Sequence, residues 1–122
     1  MGANETLGLP RGKMQKVAFC FDIDGTLIDE HGLPNMSTLV LASCILAQKW
    51  KNVDVIFWSG GGASYAETHA RRMLPVLAIY PKAKYYSKLD HEAVRQKYDK
   101  LIAIDDIQDT QLGDVNVIVR NK

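Results

Sequence analysis

Asp22-Ile23-Asp24-Gly25-Thr26 is the densest chemical signal in the chain. Two carboxylates follow the apolar run Val17-Ala18-Phe19-Cys20-Phe21, and a glycine then frees the turn. Groups of related chemistry end other runs: Ser59 with Gly60-Gly61-Gly62, then Lys88, then Asp105-Asp106. Carboxylates crowded into one crevice repel unless cations offset them, so a hard divalent metal is the expected partner. An all-oxygen donor set favours Mg²⁺ over zinc. A serine hydroxyl beside flexible backbone N–H groups, with one lysine, suits phosphate oxygens.

These residues can meet only if the chain places them at one edge of a sheet. A strand is expected over 16–21, where 17–21 run apolar without alternation, as in a parallel strand covered on both faces. Asn35 or Ser37 can cap a helix over 38–51, whose apolar positions include Leu39, Leu41, Ala42, Ile45 and Leu46. A second strand is expected over 53–58 and a helix over 63–73 that stops before Pro75. The run 76–79 is apolar but short, and 84–87 is the better third strand. A polar helix over 90–98, a buried strand over 101–104, a helical turn near 107–112 and a last strand over 115–119 complete the pattern. Strands alternating with helices indicate an α/β domain with a mainly parallel sheet, and such sheets gather ligands at the carboxyl ends of their strands. Asp22, Asp24, Ser59, Lys88, Asp105 and Asp106 all fall at such ends.

Asp22-Ile23-Asp24-Gly25-Thr26-Leu27 after an apolar strand resembles the first motif of the haloacid dehalogenase (HAD) superfamily in its phosphatase form. Ser59, Lys88 and Asp105-Asp106 follow in the order of the second, third and fourth motifs. The resemblance covers about residue 16 to the C-terminus. It implies an α/β, three-layer Rossmann-like fold with a mainly parallel sheet of about five strands, and residues 16–122 as a single domain. The implied activity is Mg²⁺-dependent hydrolysis of phosphomonoesters through an aspartyl-phosphate. In that scheme Asp22 attacks phosphorus, and Asp24 protonates the leaving oxygen and then activates water. Thr26, Ser59 and the Gly60 N–H bind the phosphoryl group and Lys88 balances its charge. The implied metal ligands are the Asp22 carboxylate, the Asp24 backbone carbonyl and Asp106, with Asp105 orienting Lys88. The reverse roles for Asp105 and Asp106 stay open, as does Lys84 in place of Lys88. Many relatives insert a cap domain after the first motif or between the second and third. Neither interval here has room for one, so a capless member is expected, with 27–33 as a small flap. An open site of that kind suits large substrates or a homo-oligomer whose subunits close over one another.

Other readings are weaker on the residues. A receiver domain also uses clustered Asp, Ser/Thr, Lys and Mg²⁺, but its lysine follows the acceptor and its acidic pair comes first. Here Lys88 precedes Asp105-Asp106, and no Asp ends the 53–58 run. A non-catalytic scaffold of the same fold would be favoured by loss of Asp22 or Asp24, and both are present. The substrate stays open between a nucleic-acid end, as for a polynucleotide 3′-phosphatase, and a small sugar phosphate or nucleotide. His69, Arg71 and Arg72 read as a solvated helix face.

The bulk properties set the frame. The 122 residues fit one domain, with 47% hydrophobic and 24% charged residues, enough for an ordinary core. A net charge of +1 gives no general attraction to polyanions. Cys20 and Cys44 lie in apolar runs without metal-type spacing, and both are expected in the core. No apolar run approaches the roughly 20 residues of a membrane span, so a cytoplasmic protein is expected. Gly2 with Thr6 satisfies a myristoylation pattern that short sequences often meet by chance, and 1–15, with Gly2, Gly8, Gly12, Asn4 and Pro10, reads as a flexible start.

Overall fold

The structure, a computed structural model, describes residues 15–79, 82–106 and 112–119. Residues 1–14, with Gly2 and Thr6, lie outside it, as do 107–111 of the expected helical turn. Five strands form one parallel sheet: β1 (Val17–Asp22), β2 (Val53–Ser59), β3 (Lys84–Ser87), β4 (Lys100–Asp105) and β5 (Val115–Ile118). The spatial order is β3-β2-β1-β4-β5, a Rossmann-like arrangement with the first strand in the middle. Among the described residues three α-helices join them: α1 (Met36–Gln48), α2 (Ala63–Met73) and α3 (His91–Arg95).

The apolar run of β1 alternates by size, which explains how it serves two unlike faces. Phe19 and Phe21 point to the side covered by α1 and α2, with Val55, Phe57 and Ile104. Ala18 and Cys20 point to the other side, with Ala103, Leu101, Ile56 and Trp58, under Val94 of α3 and Tyr98. Small side chains there let a short helix and one aromatic residue cover the sheet. Edge strands β3 and β5 have only four residues each, which limits the unpaired backbone they present.

Several local expectations are corrected. Helix α1 starts two residues early because Asn35 is its N-cap, although the Asn35 side chain accepts from the Ser37 hydroxyl (2.9 Å) and makes no capping bond to the helix backbone. It ends at Gln48, where Lys49 turns left-handed (φ 54°) and returns its N–H to the Leu46 carbonyl. Cys44 is exposed, not in the core. The buried positions of α1 are Thr38, Leu39, Ala42, Ile45 and Leu46, and 44 lies on the opposite face with Val40 and Leu41. The run 76–79 supplies part of a 3₁₀ turn, Pro75–Ala78. The helix expected over 90–98 shrinks to α3, because the chain leaves it in time to bring the Tyr98 hydroxyl to Asp54 (2.6 Å). No helix among the described residues is long and apolar enough to cross a membrane.

Candidate active site

Parallel register alone brings the chemical residues together. Asp22 ends β1 beside Trp58 of β2, Ser59 pairs with Ser87 at the ends of β2 and β3, and Asp105 ends β4. Lys88 begins the 3₁₀ turn directly after β3. Its ammonium group crosses the ends of β2 and β1 to reach Asp22 Oδ1 (2.9 Å) and Asp105 Oδ2 (2.6 Å). Lys84 is not an alternative: it sits at the other end of β3 and pairs with Asp54 (3.0 Å).

Asp22, Asp105 and Asp106 each offer one carboxylate oxygen, all within 4.8 Å of one another. Asp24 is outside this side-chain cluster. Burial pushes the Asp22 carboxyl up to about 7, against the opposing pull of Lys88, and Asp105 and Asp106 push it in the same direction as burial. The Asp106 carboxyl is likewise raised, first by burial and then by Asp105. Burial alone would lower the Lys88 ammonium, but its contacts with Asp105 and Asp22 outweigh that and hold it protonated. One cation thus faces three carboxylates, and Asp106 Oδ1 is buried with no hydrogen-bond partner among the described residues. An orphaned buried oxygen beside two more carboxylates, in an all-oxygen set, fits a hard divalent cation. Asp105, with its Lys88 contact, is the better-satisfied member of the acidic pair.

The β1 turn is anchored from beneath. Ile23, Thr26 and Leu27 are fully buried, and the Leu27 and Ile28 N–H groups donate to the Ile23 carbonyl. Thr26, expected to present a hydroxyl to phosphate, has no exposed surface and donates to Asp22 Oδ2 at 3.4 Å. Its role is to hold the carboxylate. Gly25 adopts φ +84°, and a Cβ there would overlap the Asp106 carboxylate. Both conformation and space therefore require glycine. Ser59 is buried and accepts from the Gly61 N–H (3.0 Å), while Gly60 is exposed beside it. The expected flap is a self-bonded loop. Asp29 Oδ1 accepts from the N–H groups of His31 (2.8 Å) and Leu33 (2.9 Å), and Ile28 bridges to Asp24 and Pro34.

No protein-family model and no curated protein matches this sequence. A solved structure described as a hypothetical protein from Geobacillus kaustophilus HTA426 is similar at 26% identity, with a TM-score of 0.36. The match covers 74% of this chain and 25% of that one, so this chain spans about a quarter of that protein's length.

Asp24 stands apart from its motif partner. It is exposed, and both of its carboxylate oxygens lie within hydrogen-bond distance of the Tyr65 hydroxyl, Oδ1 at 2.9 Å and Oδ2 at 3.1 Å. Tyr65 lies on the first turn of α2, after the glycine run, and the sequence reading missed it. The only available signal was an aromatic residue on the helix that starts beside Ser59. His69 packs on the Tyr65 ring (4.3 Å between centroids) and is bonded to Arg72 (2.9 Å). Arg71 pairs with Glu67 on the same helix. A cavity of about 630 Å³ opens beside Asp24, Gly25 and Asp106, walled by Ile28, Asp29, Glu30 and Gly32 of the flap. A second cavity of about 330 Å³ is more apolar and lies at the amino end of the sheet, around Trp50, Val53 and Ile79. None of the acidic residues lines it, whereas Asp24 and Asp106 line the open one.

Proposed function

We propose that this chain is a capless HAD-type phosphomonoester hydrolase working through an aspartyl-phosphate on Asp22. The supporting observation is the convergence of Asp22, Lys88, Asp105 and Asp106 from three strand ends, with Asp24 two residues from Asp22 and open to solvent. Asp22 is held by Lys88 and Thr26, so its oxygens are oriented before substrate arrives. One Asp22 oxygen attacks phosphorus while the bond from phosphorus to the leaving oxygen breaks, and Asp24 gives that oxygen its proton. Asp24, now ionised, takes a proton from water, whose oxygen attacks phosphorus and displaces Asp22. Lys88 holds positive charge beside the reacting oxygens throughout. Asp22 and Asp106 would hold a divalent cation such as Mg²⁺, with Asp105 adjoining, and a bound cation supplies charge that offsets the carboxylates and polarises phosphoryl oxygens. The capless reading is supported by what the intervals contain: the flap and α1 after the first motif, and α2 with a 3₁₀ turn between Ser59 and Lys88.

Hydrolysis of a phosphomonoester panel tests this directly. Activity should need Mg²⁺ and stop on chelation. Rapid-quench trapping with a radiolabelled aryl phosphate should label the wild type and Asp24→Asn, and leave Asp22→Asn unlabelled. Full activity after exhaustive chelation, or equal labelling of the two variants, would refute the assignment.

A further inference from the structure

The phosphatase reading assigns Asp24 a proton to deliver, yet an exposed aspartate on a turn has many orientations and loses catalytic value in most of them. Asp24 is not left to find its own. The Tyr65 hydroxyl touches both of its carboxylate oxygens, joining the β1 turn to α2 across 41 residues. The tyrosine is itself braced by two neighbours. His69 packs against its ring. The ring also lies close to Gly61, where even a Cβ would come within 3.2 Å of Tyr65 Cγ and 3.4 Å of Ser59 Oγ. The glycine run after β2 therefore does more than loosen a loop: position 61 makes room for an aromatic post beside Ser59.

We propose that Tyr65 is the positioning residue for Asp24, fixing which carboxylate oxygen carries the transferable proton. The inference rests on the phosphatase reading for what Asp24 does. A phenol has one hydrogen to give. When Tyr65 donates it to Oδ1, the nearer oxygen, Oδ2 is left as the oxygen that binds a proton and passes it to the leaving group. Tyr65 neither touches the phosphoryl group nor transfers a proton, so no bond to Tyr65 forms or breaks during turnover.

The position should matter most where proton delivery limits the rate. Tyr65→Phe keeps the ring, its contact with His69 and its packing over Gly61, and removes only the hydroxyl. For alkyl phosphates, whose leaving group needs a proton, kcat should fall roughly tenfold, the upper end of what one neutral hydrogen bond is worth. For an activated aryl phosphate kcat should change by less than about twofold, and KM should move little for either. In an Asp24→Asn background, Tyr65→Phe should cost nothing further, because the group it positions is gone. A purely structural role would lower both substrate classes alike and add to Asp24→Asn. A readout free of turnover is the metal-free protein by NMR: Asp24→Asn should shift the Tyr65 ring resonances and leave those of Tyr85 and Tyr98 in place. Equal losses on alkyl and aryl phosphates, additivity with Asp24→Asn, or unmoved Tyr65 resonances would each overturn the inference while leaving an active wild type as a phosphatase. A wild type inactive on every phosphomonoester with Mg²⁺ would overturn both.

Discussion

The two ends of the sheet use the same side chain in opposite ways. At the amino end every aspartate is matched. Asp54 is pushed up by partial burial, but hydrogen bonds from Tyr98 and Lys84 outweigh this and hold its carboxyl below the usual range. Asp114 is held low by the Leu101 N–H and by Arg95. Asp99 accepts from the Lys16 N–H at 2.7 Å. At the carboxyl end three aspartates cluster about one lysine that pairs with only Asp22 and Asp105, two of the three carboxyls are raised, and one buried oxygen has no hydrogen-bond partner among the described residues. Aspartates at the first end fasten strands together. Those at the second are a standing cost to the fold, of the kind retained where a site needs charge more than stability.

Exchanging one residue from each end should break the symmetry most visibly. Asp22→Asn should abolish phosphatase activity to below one part in roughly 10⁴, since no covalent intermediate can form. The same change should raise the thermal stability of the metal-free protein at neutral pH, because a buried charge is removed. Asp54→Asn should do the reverse, keeping activity within about twofold and lowering stability by about 1–2 kcal/mol through weakened bonds to Tyr98 and Lys84. Parallel activity assays and thermal melts of the two variants check this. Loss of activity in both, or of stability in both, would erase the distinction.

A pH titration of stability sharpens it further. Asp22 has a folded pKa of about 7 against an unfolded value near 3.8. Between those values the folded state binds more protons than the unfolded one, so stability falls as pH rises from about 4 to about 7. The span is worth roughly 2–4 kcal/mol. Asp54 and Asp114 are shifted the other way, so their contribution is present above the unfolded value and is lost as pH drops below about 4. Denaturant melts of the metal-free protein should therefore peak in mild acid. Asp22→Asn should flatten the slope between pH 4 and 7. A slope that survives this substitution would place its origin elsewhere.

Smaller effects separate the members of the acidic cluster. Asp106→Asn removes charge from the orphaned oxygen's group, and the rise in melting temperature produced by millimolar Mg²⁺ should shrink by more than half. Asp114→Asn, at the exposed end of its pair with Arg95, should cost under about 1 kcal/mol and leave the Mg²⁺ response untouched. An unchanged Mg²⁺ shift in Asp106→Asn would show that the ion binds elsewhere.

The strand ends were legible in the sequence because each apolar run stops abruptly at a polar residue, and a parallel sheet turns such stops into neighbours. That is why Asp22, Ser59, Lys88 and Asp105 could be grouped without coordinates. The placement of Cys44 failed for a definite reason: α1 carries apolar residues on all sides, with Val40 55% and Leu41 42% exposed, so periodicity could not say which face is inward. The short α3 was hidden because its end is set by the Tyr98–Asp54 bond, across 44 residues. Tyr65 was hidden for a similar reason. Its partner is 41 residues away, and tyrosine on an amphipathic helix reads equally well as packing. Lys88 and Lys84 could not be told apart by type, only by the end of β3 each occupies.

The place of β1 at the centre of the sheet also bears on the order in which the chain folds. Lys16 and Asp99 buckle β1 to β4 across 83 residues, and the acidic cluster draws on residues 22, 105 and 106. Contacts of that separation cost more loop entropy to close than the nearer β1–β2 pairing, so the crowded carboxylates are expected to meet late. In that order their repulsion should weigh on the unfolding rate more than on the folding rate, which stopped-flow refolding and unfolding of Asp22→Asn would measure. A cation held among them would act as a brake on unfolding, lengthening the lifetime of the native state without hastening its formation.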